Sequence, residues 1–412
     1  MKRTAHRCSF FNDDELSLRG DSGINFSAAS HDATPRRLAN ARLRLCILVA
    51  SLKNLHPRPH CASPLSMPLS RSDLEFRAQL WNTATSRIRE FFCARGYVEV
   101  VTPVVVKSPG MEPNLSPLAV DVHTEGLQAH STRMGLITSP EYSMKKLLGG
   151  GMQKIFTLAP VFRDREAPGN RWSIEFTMLE WYHQGKDYRE LMTETGELID
   201  FVLNVDRELS PIYGGVRRGR GVGGGGESEG VWLRISYVDE FEKTFGFVPH
   251  DDDRERLIDA CKEFNVAHPA VDEPVHEIID RLFQVIIWPT IVTRGRFMLC
   301  EYPVPCASLS KVSADGRYAE RFEAFVGELE LCNGFTELTD AAEQRRRFIL
   351  EGEERRLAKK EVFPIDDELL DRLKSVTSPT YGNALGVDRL VMLLAGANDI
   401  DSIHLFPPST RY

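Results

Sequence analysis

The 412-residue sequence lacks the cysteine spacings that mark zinc sites. Its eight cysteines include no C-x-x-C pair, and the step from Cys300 to Cys306 is not a usual metal knuckle. A long hydrophobic run is missing as well, since the apolar stretch 43–52 is interrupted by Arg44 and is too short to span a bilayer. We therefore expect a cytoplasmic protein with free thiols, and no membrane or disulfide scaffold.

Positive charge is scarce in the body of the chain. Residues 1–71 carry eleven Lys and Arg against five Asp and Glu, so that within a total of −8 the remainder has a net charge of −14. Binding to nucleic acid phosphates needs an excess of Lys and Arg on one face. The acidic body therefore argues against a nucleic acid partner, although one basic patch on an acidic protein would suffice.

Two segments have little of the apolar periodicity that a packed core requires. Residues 1–70 are rich in Arg, Ser, Ala and Pro, and we expect a disordered extension there. Residues 206–230 include nine glycines between Gly214 and Gly230, but no G-K-[ST] follows them, so they are interpreted as a flexible insertion and not as a phosphate loop. The folded domain is expected to span residues 71–412.

Regular patterns begin at Ser72. Apolar residues at helical spacing predict a helix that ends at Gly96, and a β-branched strand that contains Pro103 is predicted over 97–106. Other predicted elements are helices at 189–204 and 341–360, paired strands over 317–340, and a glycine-containing turn into an apolar helix over 381–396. The folded domain therefore contains both helices and strands.

The segment TSPEYSMKKLL (138–148) places a carboxylate at the start of a helix. Glu141 follows the turn formed by Ser139 and Pro140. A carboxylate there is commonly no more than a favourable contact with the helix dipole. Taken alone, the segment favours this structural interpretation over a binding role.

The segment VFRDREAPGNRWSIEFTMLEWYH (161–183) has a strand of strict alternation. One face carries Phe176, Met178, Glu180 and Tyr182, and the other carries Thr177, Leu179 and Trp181. An aromatic ring, a carboxylate and a phenol on one face suit a pocket better than a core. Upstream, Arg163 and Arg171 suit an anionic polyphosphate, with a solvated surface hairpin as the alternative.

Two C-terminal segments complete the candidate site. In RFEAFVGELELCNGFTELTDA (321–341), Glu323 and Glu330 on paired strands could hold Mg²⁺ together with substrate phosphates, unless they are a solvated strand face. In GNALGVDRLVML (382–393), Gly386 permits a turn into a helix, and Arg389 lies in its first turn. A lone Arg at such a position is usually a surface residue.

The order of these segments resembles the class II aminoacyl-tRNA synthetases. FFCARGYVEVVTP is similar to their first motif, which forms the dimer. The strand with Phe162 and Arg163, its loop and the Phe176 strand are similar to their second motif, and GNALGVDR is similar to their third. TSPEYSMKKLL, EFTMLEWYH and NGFTELTDA resemble the lysine-specific branch. Over residues 75–405, the resemblance implies an α+β fold, with an antiparallel sheet flanked by helices, in a homodimer.

Within that branch, the chain resembles the stand-alone paralogues that act on elongation factor P. Residues 1–70 are too short and irregular for the OB fold that grips the anticodon, and TSPEY and ALGVDR match the paralogues. The implied activity is ATP-dependent activation of (R)-β-lysine and its transfer to a lysine of elongation factor P, without tRNA. Two alternatives stay open: a truncated lysyl-tRNA synthetase, and an inactive paralogue that binds a ligand and regulates.

The resemblance also implies roles for individual residues. The catalytic residues would be Arg163 and Arg389. The residues expected to contact lysine or (R)-β-lysine are Ser139, Pro140, Glu141, Glu180, Tyr182, Asn333, Glu337 and Ala384. Those expected to contact ATP are Arg163, Asp164, Arg165, Glu166, Ser173, Phe176, Glu330, Leu331, Gly386 and Arg389. The Mg²⁺ ligands would be Glu323 and Glu330.

The loop after Arg163 departs from the family pattern. The usual F-R-x-E is replaced by FRDRE, which puts Arg165 at the glutamate position and Glu166 one residue later. The usual His-Asn-Pro before the next strand is replaced by Trp-Ser-Ile, so that Ser173 matches the ATP-contacting Asn only approximately. This loop is therefore where ATP contacts are expected to differ.

Overall fold

A computed structural model describes residues 69–125, 130–165, 170–203 and 232–411. The predicted insertion at 206–230 and nearly all of the predicted extension at 1–70 lie outside the described residues, as does Glu166. None of the helices in the described ranges combines the length and the hydropathy that a bilayer span requires.

A mixed sheet forms the centre of the domain. Its strands are β1 (Val98–Glu99), β5 (Lys154–Phe162), β6 (Glu175–Gln184), β7 (Leu233–Ser236), β8 (Arg296–Tyr302), β9 (Ala319–Val326), β10 (Leu329–Thr336) and β11 (Thr380–Gly386). In the described residues they lie in the order β1-β5-β6-β11-β10-β9-β8-β7, with the two edge pairs parallel and the pairs between them antiparallel. A small antiparallel sheet contains β2 (Val105–Val106), β3 (Ala119–His123) and β4 (Ser131–Leu136).

Helices pack against this sheet. They are α1 (Arg71–Ala94), α2 (Glu141–Gly149), α3 (Tyr188–Leu203), α4 (Tyr237–Phe245), α5 (Arg254–Glu263), α6 (Val275–Leu282), α7 (Trp288–Ile291), α8 (Ala341–Leu357), α9 (Asp367–Leu373) and α10 (Val387–Ala395). A π-helical turn, Phe283–Ile287, joins α6 to α7. Together with the sheet, this arrangement confirms the predicted α+β fold of an antiparallel sheet flanked by helices.

The main core lies on one face of the sheet. Leu80 and Ile88 of α1, Leu198 of α3 and Val391 of α10 pack together, and Trp181 of β6 meets them from the sheet. The strict alternation of β6 requires its other set of side chains to point away from this core. One face of the sheet is therefore closed by three helices. The opposite face packs against α4 to α7 at strands β7 to β9 and is available for a site over β6, β11 and β10.

The predicted strand over 97–106 is wrong in its extent. β1 pairs with β5 of the main sheet, whereas β2 pairs with β4 of the small sheet. Pro103 lies between them, and proline has no N–H to donate to a ladder. The segment 381–396 also differs from the prediction, because its first part is the regular strand β11 and the helix follows directly.

Candidate active site

A cavity of about 200 Å³ opens on the face of the sheet opposite the main core. Twelve predicted site residues line it: Ser139, Glu141, Arg163, Ser173, Phe176, Tyr182, Glu330, Leu331, Asn333, Ala384, Gly386 and Arg389. A larger cavity of about 370 Å³ lies beside it and shares Ser139, but it contains no other predicted residue. The smaller cavity is therefore the candidate active site.

Strand register explains why residues distant in sequence meet there. Ala384 of β11 lies opposite Glu180 of β6 and opposite Asn333 of β10, which in turn lies opposite Glu323 of β9. Directly paired residues point to the same face of a sheet. These four residues thus form a row across four strands, and the row places the predicted amino-acid and metal residues side by side.

Glu180 is held by hydroxyl groups. Ser139 donates a hydrogen bond of 2.5 Å to Oε1 of Glu180, and the phenol of Tyr182 donates one of 3.0 Å to Oε2. Glu180 is 1 % exposed. Burial and the charge of Glu141 raise its pKa to about 8, although both hydrogen bonds oppose the shift. An incoming cation would favour the ionised form.

Lys145, which was not among the predicted site residues, forms ion pairs with the other two predicted carboxylates, Glu141 and Glu337. Its ammonium lies 2.5 Å from Oε1 of Glu141 and 2.5 Å from Oε2 of Glu337. Burial opposes the charge of Lys145, but its two partners raise its pKa and keep it protonated. Burial raises the pKa of Glu337 despite this shared ammonium. The i, i+4 spacing from Glu141 to Lys145 is a signal that could have found the pair.

Gly382 leaves the space that this carboxylate needs. A Cβ at Gly382 would overlap Oε1 of Glu337 and Cε1 of Tyr182. No side chain fits in this space, so glycine is required here by the close approach of these two residues. Gly386, in contrast, has φ −74° and room for a Cβ, so its turn needs no glycine conformation.

Two arginines stand at the predicted nucleotide end of the cavity. Nε of Arg163 donates to the carbonyl oxygen of Thr138 at 3.3 Å, and its Cζ lies 5.3 Å from the ring centre of Phe176. Nη1 of Arg389 donates to the carbonyl oxygen of Glu330 at 2.7 Å, and its Cζ lies 4.2 Å from the ring centre of Trp172. Trp172 was not predicted as a site residue. The four side chains form a cationic and aromatic wall suited to a nucleotide.

Glu323 and Glu330 are neighbours, but only Glu330 lines the cavity. A β-bulge between Glu330 and Cys332 lets Glu330 and Asn333 both line it despite their odd spacing. Burial, and then the charge of Glu323, raise the pKa of Glu330. In the described part of the chain, no three His, Cys, Asp or Glu side chains form a metal site. Two adjacent carboxylates nevertheless fit Mg²⁺ when phosphate oxygens supply the other ligands.

Other predicted residues lie outside the cavity wall. Pro140 precedes α2 as its N-cap residue. Asp164 and Arg165 form an exposed ion pair of 3.6 Å in the loop after β5. Glu180 and Glu337 are buried and do not line the cavity, whereas their neighbours Tyr182 and Gly382 do. The contacts expected of these residues with substrates stay predictions.

Comparison with known proteins decides the family. Residues 65–410 match the family described as tRNA synthetases class II (D, K and N). The chain belongs to the class II tRNA synthetases. This confirms the resemblance noted in the sequence, and membership implies ATP as a substrate.

Three relatives of this class II synthetase carry the name elongation factor P--(R)-beta-lysine ligase. The protein of Avibacterium paragallinarum is 34% identical over 322 residues, which are 78% of this chain and 92% of the relative. That of Sodalis glossinidius (strain morsitans) is 34% identical over 78% of this chain and 91% of the relative. That of Yersinia enterocolitica serotype O:8 is 34% identical over 78% and 92%. The similarity therefore extends over nearly the whole length of these ligases.

Proposed function

We propose that the protein activates (R)-β-lysine with ATP and transfers it to a lysine of elongation factor P. The relatives that support this carry that activity in their names and are covered over 92% and 91% of their length. An activity that depends on the whole relative can therefore reside in the matched part of this chain. The cytoplasm is the proposed location.

The observation that carries the proposal is the charge balance at the amino-acid end of the cavity. The carboxylates predicted to contact the amino acid are Glu141, Glu180 and Glu337, and Lys145 brings one ammonium. Glu112 also lines the cavity, but burial raises its pKa, which favours its neutral form. Within the described residues, no Lys, Arg or His forms an ion pair with Glu180. Two negative charges thus remain to be matched when all three acids are ionised. A diamino acid supplies two ammonium groups, which favours lysine or β-lysine over a neutral amino acid.

The activation step uses the nucleotide wall. Arg163 would hold the substrate carboxylate against the α-phosphate, and Phe176 would stack on adenine with Arg389 beyond it. The carboxylate oxygen attacks the α-phosphorus, the bond to the bridging oxygen breaks, and pyrophosphate leaves. The residues supply position and charge neutralisation and need no protein nucleophile. Glu330, with Glu323 behind it, would hold Mg²⁺, which neutralises phosphate charge when bound.

The transfer step consumes the adenylate. The neutral amine of an acceptor lysine attacks the carbonyl carbon, a C–N bond forms, and AMP leaves with the electron pair of the broken C–O bond. The nitrogen loses its extra proton to solvent. The acidic body of the chain supports a protein acceptor over tRNA. A homodimer through the first motif is also proposed, and the 95% exposure of Val101 beside β1 supports it.

Pyrophosphate exchange tests the activation half of the proposal. The full chain would receive ATP, Mg²⁺ and either (R)-β-lysine, α-lysine or norleucine, which lacks the side-chain ammonium. We expect exchange with (R)-β-lysine to exceed exchange with α-lysine, and none with norleucine. Preference for α-lysine would favour a lysyl-tRNA synthetase. Exchange with norleucine would contradict the charge argument, and no exchange with any amino acid would favour the inactive paralogue.

A further inference from the structure

Arg321 contacts the amino-acid end and the metal end of the site with one side chain. Its Nε donates to Oδ1 of Asn333 at 3.0 Å, and its Nη2 donates to Oε1 of Glu323 at 2.6 Å. Its Nη1 donates to the carbonyl oxygen of Cys306 at 2.8 Å. All three nitrogen atoms of the planar guanidinium therefore donate hydrogen bonds, and these bonds fix the orientation of its plane.

The contact with Asn333 decides which end of its amide faces the cavity. Guanidinium groups only donate hydrogen bonds, so the amide oxygen must point toward Arg321. The NH₂ group is then the part of Asn333 that remains for the cavity that this residue lines. An NH₂ group donates to anionic oxygen and repels an ammonium. Asn333 is thus prepared for the carboxylate of the amino acid or a phosphate oxygen.

The contact with Glu323 restrains a carboxylate that is predicted for the metal. Arg321 binds Oε1, and the phenol of Tyr302 donates to Oε2 at 2.7 Å. The guanidinium also lies 4.5 Å from the ring centre of Tyr302. Tyr302 contacts Glu323 but makes no hydrogen bond to Asn333 within the described residues. Arg321 thus contacts both Asn333 and Glu323, whereas Tyr302 contacts only Glu323 of these two residues.

We propose that Arg321 is a positioning residue that orients Asn333 toward the amino-acid carboxylate and Glu323 toward the Mg²⁺–ATP site, and so links the two substrates. The inference rests on the proposed function, because it assigns both substrates to this cavity. Lysine could keep the charge at position 321 but could not donate in three fixed directions. The link is therefore a property of arginine at this position and not of positive charge alone.

The first test measures the two ligands separately. Arg321→Lys and the matched control Tyr302→Phe would be titrated calorimetrically with the diamino acid alone and with Mg²⁺–ATP alone. Loss of a charged hydrogen bond typically weakens binding about tenfold or more. We expect Arg321→Lys to weaken both ligands to that extent, and Tyr302→Phe to weaken only Mg²⁺–ATP. Weakening of only one ligand by Arg321→Lys, or of both by Tyr302→Phe, would overturn the link.

A second variant keeps the inference testable if Arg321→Lys does not fold. Asn333→Asp keeps an oxygen for Arg321 but presents a second oxygen, in place of NH₂, to the cavity. We expect it to weaken binding of the diamino acid more than Asn333→Ala does, because two carboxylates would then face each other. Tighter binding in Asn333→Asp would show that position 333 meets an ammonium, which overturns the inference. If the wild type binds no diamino acid, the proposed function fails instead.

Discussion

The ammonium of Lys145 lies 2.5 Å from Oε2 of Glu337, and both side chains are 2% exposed. Lys145 is shared with Glu141, which is 13% exposed and lines the cavity. A buried carboxylate that shares a single ammonium with a second carboxylate is poorly neutralised. The pair therefore serves as a fixed part of an acidic pocket that gains from a further cation.

Replacing Glu337 with Gln tests this pocket. The variant keeps nearly the same shape but removes a charged partner of Lys145 and of the substrate ammonium. We expect kcat/KM for the amino acid to fall at least about tenfold. The free energy of unfolding should change little, because burial raises the pKa of Glu337 and makes its charge unfavourable in the ligand-free folded state. Steady-state kinetics and denaturant unfolding measure the two effects.

A matched control for this variant lies on the surface. Glu361 pairs with Arg133 at 2.8 Å, but the two side chains are 41% and 50% exposed. Solvent-exposed ion pairs contribute little to stability, so Glu361→Gln should change stability little and kinetics not at all. Wild-type kinetics in Glu337→Gln would remove Glu337 from the site and weaken the assignment to lysine-type substrates.

The contribution of Glu180 to the stability of the ligand-free protein should fall as pH rises from about pH 5 to about pH 8. The pKa of Glu180 is about 8 in the folded protein against an ordinary 4.5, so the folded state holds a proton that the unfolded state releases in this window. The contribution is complete below the lower value and is lost as pH rises through the upper one. Chemical unfolding at a series of pH values follows it.

The variant Glu180→Gln isolates this contribution. Other buried acids with a raised pKa, such as Glu337 and Glu351, stay in the variant, so the informative quantity is the difference between the two pH slopes. We expect a shallower decline in Glu180→Gln. Parallel slopes in the two proteins would mean that Glu180 is already ionised in the folded state.

Ala384 is expected to influence the choice between α-lysine and β-lysine. It lies opposite Glu180 and lines the cavity, so its methyl group occupies space beside the carboxylate that is predicted to bind the ammonium. Ala384→Gly should shift relative kcat/KM toward α-lysine by about tenfold, the scale of one methyl group in a tight pocket.

The control for Ala384→Gly is Ala342→Gly, at an exposed position in the first turn of α8. It should leave the ratio of the two kcat/KM values unchanged. An unchanged ratio in Ala384→Gly as well would show that this methyl group has no part in the choice of substrate.

Much of the site follows from periodicity. The alternation of β6 predicts that Phe176, Glu180 and Tyr182 face away from Trp181 and the core, and the structure confirms this. The sequence patterns also predict α1, the start of α2, α3, α8, α10 and the β9–β10 pair, whereas α4 to α7 and α9 were not predicted. Elements of regular period can be predicted because their apolar residues recur at the spacing that puts them on one face of a helix or strand.

The rest depends on contacts between distant segments. Arg321 has no local pattern that marks it, and its role depends on the register of β9 with β10 and on the carbonyl group of Cys306. The bulge after Glu330 changes the face on which a residue lies, and alternation alone cannot show it. Gly382 is required because the side chain of Glu337, which follows β10, packs directly against it.

The central claim is that the activated amino acid goes to a protein. Labelled (R)-β-lysine and ATP would be incubated with the full chain and either elongation factor P, elongation factor P with its lysines replaced one at a time by arginine, or tRNA, and the label on each acceptor would be counted. The account predicts label on elongation factor P that one Lys→Arg replacement abolishes, with AMP released and no label on tRNA. Efficient charging of tRNA, with elongation factor P left unlabelled, would contradict it.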